Sequence, residues 1–216
     1  MGERFGGGGI YIMNKMKFSI IMSVYNNWNL TCHAIDSVIN QSYKNWELII
    51  VTDGDPPHGF NPKSIVGSIF IYKPDLYDKI KVIDFKSDGK FGNLTRYEGL
   101  KHCTGDYTIW CNHDNLLDRD YLHTHLENIE EEKECISIIP IRHWSNHRRY
   151  CGVLPFKIES GGLDLLNLAL PTHRAKEIQA FNNDIYNADW LIVEDLMKLN
   201  IPVKQFKSTN SFGAHF

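Results

Sequence analysis

No CxxC pair, no run of about twenty apolar residues and no surplus of basic side chains occurs in this chain, and each absence removes a class of function. The five cysteines, Cys32, Cys103, Cys111, Cys135 and Cys151, are odd in number and widely spaced. That argues for free thiols in a reducing compartment and against a zinc ribbon. Cys111 and Cys135 lie in apolar, strand-like runs, where packing is the expected role. The apolar runs fall short of the roughly twenty residues that span a bilayer. The N-terminus holds Gly6 to Gly9 where a signal peptide would hold an apolar stretch. Residues 1–16 therefore read as a flexible Gly-rich leader, with Met13 or Met16 as an alternative start. A cytoplasmic location is expected, and peripheral membrane contact stays open. Lys and Arg number 23 against 26 Asp and Glu, a net charge of −3, so no nucleic-acid partner is expected. The one compact basic spot, Arg148-Arg149 near His143 and His147, reads as a solvated or substrate-facing loop.

What is present is ordinary globular composition: 216 residues, 43% hydrophobic and 23% charged, enough for a proper core. Phe18 to Val24, Trp46 to Val51, Ile80 to Phe85 and Tyr107 to Cys111 are apolar runs of strand length. The first two are unbroken rather than alternating, which fits parallel strands covered on both faces. Trp28 to Asn40 carries Leu30, Ala34, Ile35, Val38 and Ile39 at helical spacing. Asn93 to His102 and Tyr121 to Glu132 also read as helices, and Gly105 is expected to close the former in a left-handed conformation. Ile65 to Tyr72 reads as a short helix or a helix-to-loop passage. Asp53 to Pro62 and Ser87 to Gly92 read as loops. This alternation predicts a doubly wound α/β layer. After Cys135 the rhythm changes. Ile136 to Ile141 and Pro202 to Phe206 read as strands, Ala175 to Ala180 and Ala188 to Leu199 as helices, and Gly161-Gly162 as a break.

Three strand ends carry polar groups. One runs into Ser23-Val24-Tyr25-Asn26-Asn27, a second into Thr52-Asp53-Gly54, a third into Asn112-His113-Asp114-Asn115. The carboxyl ends of parallel strands are where an open α/β sheet holds its ligand. Carboxylates at two such ends suit a ligand with a polar base at one side and a metal-bound phosphate at the other.

Five segments together resemble the family-2 glycosyltransferases, inverting nucleotide-sugar transferases of the GT-A fold. Phe18 to Asn26 is similar to the family's opening strand, and Ser37-Val-Ile-Asn-Gln-Ser-Tyr43 to its S-hydrophobic-x-x-Q-[ST] helix end. Trp46 to Gly54 resembles the strand ending in D-D-G, Gly92 to Leu100 the motif G-x-x-x-A-R-N-x-G, and Gly105 to Asn115 the segment ending in D-x-D-D. The resemblance runs from about Phe18 to about Val203. It implies a mostly parallel central sheet flanked by helices in a single domain over residues 17–216, with a nucleotide-binding half (17–115) and an acceptor or lid half (116–216).

The resemblance also implies roles. Asp53 accepts the N3–H of uracil, favouring a UDP-sugar or dTDP-sugar donor. Val24 and Tyr25 frame base and ribose. Arg96 lies near the phosphates, where its fork suits oxyanions. Asp114 binds Mn²⁺ or Mg²⁺, with His215 as a further ligand; Asn112 meets the ribose, and His113 serves as a nucleotide contact or an Mn²⁺ ligand. Asp189, in a segment similar to D-W-x-L-x-x-R-L-x-x-x-G, is the general base for a glycan, lipid-linked or protein-linked acceptor hydroxyl, its pKa raised by partial burial beside Trp190. The chain departs from the family at Thr52 and Asn112, where the family has Asp, at Asp195, where it has Arg, and at Asn200, where it has Gly. Those losses bear on the metal-binding motif more than on the nucleotide-binding one. They also motivate a rival reading, a non-catalytic nucleotide-sugar-binding module. A nucleotidyltransferase, the other rival, would open on a glycine-rich phosphate loop that is not found here.

Each residue also has a plain structural use. Asp53 suits a turn before Gly54, Asp114 and Asp189 suit helix caps, Arg96 suits a salt bridge, and Asp164 suits either a turn or the acceptor side. His123 and His125, two apart, cannot share a metal on a helix.

Overall fold

Seven strands form the main sheet: the five inner ones are short, mostly apolar segments buried on both faces, and the two edge strands are partly exposed. The computed structural model describes residues 16–25, 28–54, 62–86, 92–130, 134–144, 150–153, 164–182, 188–206 and 213–215. Within these, the side chains at 28, 29, 62, 130, 143, 144, 150–153, 188–190, 193, 214 and 215 lie outside the description. In chain order the elements are β1 (Phe18–Val24), α1 (Trp28–Ile39), β2 (Trp46–Asp53), α2 (Pro62–Tyr72), β3 (Ile80–Phe85), α3 (Asn93–Lys101) and β4 (Tyr107–Trp110). There follow β5 (Asn115–Leu117), α4 (Tyr121–Glu130), β6 (Ile136–Ile138), β7 (Arg142–Trp144), β8 (Tyr150–Val153) and β9 (Leu168–Pro171). The last are α5 (Thr172–Ala175), α6 (Ala188–Lys198), β10 (Val203–Gln205) and β11 (Gly213–His215).

The strand order is β10-β6-β9-β4-β1-β2-β3. All pairings are parallel except the two made by β9, which runs against both β4 and β6. β1 and β2 are buried along their whole length, as expected of strands covered on both sides. Alternate residues feed two cores. Phe18, Ile20, Met22, Leu48 and Ile50 pack with Ala34, Ile35 and Val38 of α1 and Leu122 and Leu126 of α4. Ile21, Ile49 and Val51 pack on the other face with Leu100 of α3 and Ile192 and Leu196 of α6. A β-carbon at Gly99 would stand 2.5 Å from Ile21 Cγ2 and 3.3 Å from Val51 Cγ2, so this glycine lets α3 settle onto β1 and β2.

Gln41 ties the end of α1 to the α4 side. Its Nε2 donates to the carbonyls of Ser37 (3.0 Å) and Asp118 (2.8 Å), and its Oε1 accepts from Leu122 N (3.0 Å). At the amino end of β2, the buried Glu47 accepts from Ser19, Thr104 and Lys17.

Three sequence expectations need correction. Gly105 does not take up a left-handed conformation; among the described glycines only Gly54 and Gly92 have positive φ. A β-carbon at Gly105 would meet Lys17 O at 2.6 Å and Ser19 N at 2.8 Å, so close backbone approach is what requires glycine there. Residues 175–180 are not one helix: α5 ends at Ala175 and a 3₁₀ turn begins at Gln179, because Asp195 Oδ2 accepts from both Gln179 N and Ala180 N (2.9 Å each) and anchors that turn separately. The strand expected over 136–141 stops at Ile138, where the chain leaves β6. A second sheet, ordered β5-β11-β7-β8, and the strand β9 have no counterpart in the sequence pattern. The glycine leader to residue 15, Arg148-Arg149, His147 and Gly161-Gly162 lie outside the described residues. No described helix is long and apolar enough to cross a membrane. Among the described residues, Cys32, Cys103, Cys111 and Cys135 form no disulfide.

Candidate functional site

The rows of apolar side chains facing α3 turn polar where their strands end. Ile21 is followed two residues on by Ser23, and Val51 by Asp53; a period of two keeps each pair on one face. Gly54, at φ +82°, turns the chain directly after Asp53, a conformation that glycine adopts without strain. Gly92, at φ +74°, leads into α3. The packing at Gly99 holds the first turn of this helix over the ends of β1 and β2.

The result is a cleft of about 320 Å³. It brings together seven residues singled out from the sequence: Val24, Tyr25, Asp53, Arg96, Asn112, His113 and Asp114. Ser23, Gly92 and Thr95, to which the sequence pattern assigns no role, also line it. Thr95 was detectable: it sits inside the Gly92–Leu100 segment, one residue before Arg96. Tyr25 stands at the mouth, 63% exposed. Asp53 is only 8% exposed, and its Oδ2 accepts from the Thr95 hydroxyl at 3.1 Å. Arg96 donates through Nη1 to Asn93 Oδ1 (2.9 Å) and through Nη2 to Asn112 Oδ1 (3.1 Å), which fixes the guanidinium across the cleft. Asn115 Oδ1 accepts from Asn112 N at 2.7 Å and shapes the loop after β4.

His113 bends back onto β1. Its N–H donates to Ser23 O at 3.2 Å, and its Nδ1 lies 3.3 Å from the same carbonyl. A carbonyl only accepts, so this contact places a ring proton on Nδ1. Asp114 Oδ1 is buried and has no hydrogen-bond partner among the described residues. A bare, buried carboxylate oxygen fits a hard cation such as Mn²⁺ or Mg²⁺, which takes one or two carboxylates and completes its shell from phosphate and water. Among the described residues no three His, Cys, Asp or Glu side chains cluster to hold a metal by themselves. The backbone of β11 pairs His215 with Asn115, next to Asp114 in sequence, and with His143 of β7. The His215 side chain lies outside the described set. So does that of Asp189, the second residue of α6.

Two neighbours are structural. Asp164 accepts from Leu166 N at 2.7 Å and caps the turn before β9. Burial, with the charges of Asp114 and Asp164, drives the Cys111 thiol far above its ordinary pKa, so it stays protonated and packs.

Comparison with known proteins gives a consistent picture. The family model of Glycosyl transferase family 2 matches residues 19–204. An uncharacterized glycosyltransferase of Rickettsia conorii is 35% identical over 98 residues, 45% of this chain and 15% of that protein. The crystal structure of S. aureus TarS superposes with a TM-score of 0.72 at 14% identity, covering 93% of this chain and 36% of that one. S. aureus TarS 1–349 in complex with UDP-GlcNAc gives a TM-score of 0.69 at 16% identity, covering 92% and 58%. The likeness shows the GT-A fold. This chain spans less than two thirds of the length of each of these proteins.

Proposed function

The chain belongs to glycosyl transferase family 2, and on that premise we propose that it moves a sugar from a UDP-sugar or dTDP-sugar to an acceptor hydroxyl, with inversion and a divalent metal. One observation carries the reading: Asp53, Arg96 and Asp114 come from three separate segments and line one cleft at the carboxyl ends of parallel strands. TarS, of the same fold, holds UDP-GlcNAc.

In this reading Asp53, oriented by Thr95, accepts the N3–H of the base. Asn112 meets the ribose, while Val24 and Tyr25 flank the nucleoside. Arg96 pairs with the diphosphate, where a planar fork matches oxyanion geometry. Asp114 would hold Mn²⁺ or Mg²⁺, with His215 or His113 as a further ligand, and the ion would stabilise charge on the departing diphosphate. Asp189 takes the proton from the acceptor hydroxyl, whose oxygen bonds to the anomeric carbon as the bond to the diphosphate breaks. The acceptor in this reading is a glycan, lipid-linked or protein-linked hydroxyl.

Release of UDP from a panel of UDP-sugars with Mn²⁺ tests the activity, and Asp189→Asn tests the base. The variant is expected to bind the donor as the wild type does and to lose turnover. Full turnover in the variant would remove Asp189 from the mechanism.

A further inference from the structure

The hydroxyls near the strand ends are nearly all in use. Ser19 Oγ donates to Glu47 (2.7 Å) and accepts from Gly105 N (2.8 Å). Thr52 Oγ1 donates to Ile83 O (3.4 Å), and Thr95 Oγ1 to Asp53 (3.1 Å). Ser23 is the exception. The residue is 9% exposed, lines the cleft, and its Oγ is buried without a hydrogen-bond partner among the described residues. Only its backbone is engaged, accepting from His113.

A buried hydroxyl left unpaired is destabilising, and alanine would fill the same space without that cost. The fold itself therefore makes no use of the oxygen. Its position is specific. It lies on the sheet face that α3 covers, on β1, with β2 and its terminal Asp53 on one side and β4 and the following Asn112 on the other. Ser23 pairs with Val51, Asp53 lies two residues farther along β2 on the same face, and all three of Ser23, Asp53 and Asn112 line the cleft, with Ser23 on the strand between the other two.

We infer that the Ser23 hydroxyl is a binding group for the nucleoside part of the donor, making a hydrogen bond to a polar atom of ribose or base that replaces the partner it lacks in the free protein. This deepens the reading of the cleft as a nucleotide site and rests on it.

Calorimetric titration of uridine, UMP and UDP into the wild type and Ser23→Ala, with thermal melting of both free proteins, tests it. The variant is expected to melt at the same temperature or higher when free, and to bind all three ligands about tenfold more weakly, the worth of one well-formed hydrogen bond. Unchanged affinity in the variant overturns the inference while leaving the cleft reading intact. A loss confined to UDP overturns it by assigning the contact to the diphosphate. A lower melting temperature of the free variant overturns it by showing that the fold uses the hydroxyl. Failure of the wild type to bind any of the three defeats the cleft reading itself, and this inference with it.

Discussion

The Thr95 hydroxyl donates to Asp53 Oδ2 across 3.1 Å, bonding the first turn of α3 to the carboxyl end of β2. The bond is buried, and it sets which way the carboxylate faces in the cleft. Thr95→Val keeps the shape and removes the donor. It is expected to cost about 1 kcal/mol of stability, a fall in melting temperature of about 2–4 °C, and to weaken uridine binding several-fold. Melting curves and titrations on one preparation check both.

Arg96 is held by Asn93 and Asn112 rather than left to swing in solvent. A cation fixed in advance loses little freedom when an anion arrives. Arg96→Met is expected to weaken UDP by tenfold or more while leaving uridine within about twofold, because charge-assisted bonds to phosphate are lost and nucleoside contacts are not. Parallel titration of the two ligands is the measurement.

Gly99 sits where α3 touches β1, and an added β-carbon would come within 2.5 Å of Ile21 Cγ2. Gly99→Ala forces the helix off the sheet. The expected cost is about 1–3 kcal/mol, typical of overpacking, with a drop in nucleotide affinity because Thr95 and Arg96 move with the helix. Denaturant melts and UDP titration report the two effects.

The N-terminal half was legible because its information is local. Unbroken apolar runs announced β1 and β2, and the polar residues that end them announced the cleft. Later elements depend on partners far away in sequence. β9 is four residues long and is defined by pairing against β4 and β6. Asp195 departs from the family's arginine; besides a local bond from Lys198 Nζ (2.9 Å), it accepts from Gln179 N and Ala180 N, 16 and 15 residues back, contacts that a short window around residue 195 does not reveal. Asn200, in place of glycine, is the milder departure: at φ +51° it adopts a left-handed conformation that asparagine tolerates. Gly105 misled because glycine after a helix serves two purposes, left-handed closure and close backbone approach, and only the second applies here.

Burial holds the His125 imidazole neutral, with its pKa pulled down to about 3 from an ordinary value near 6.5. Its Nδ1 faces Ser137 Oγ at 2.8 Å. Unfolding lets the ring take up a proton, so its contribution to stability is complete above about pH 6.5 and is lost as pH falls toward 3. From neutral pH to 5 the loss is about 2 kcal/mol. Burial pushes the Glu47 carboxyl up, but hydrogen bonds from Ser19, Thr104 and Lys17 outweigh it and hold the pKa at about 2. Glu47 therefore weakens the fold only below about pH 4.5. Denaturant melts at pH 7.5, 6.5 and 5 are expected to fall in sequence for the wild type and to flatten for His125→Leu.

The most direct test is base selectivity read through Asp53. Melting temperatures of the wild type and Asp53→Ala are measured with UDP, ADP and GDP, each with Mn²⁺. Of the three, UDP alone is expected to stabilise the wild type, by the several degrees that binding in large excess produces, and Asp53→Ala is expected to lose this response. Stabilisation by ADP or GDP without UDP, or an undiminished response to UDP in Asp53→Ala, would contradict the base-recognition role of Asp53.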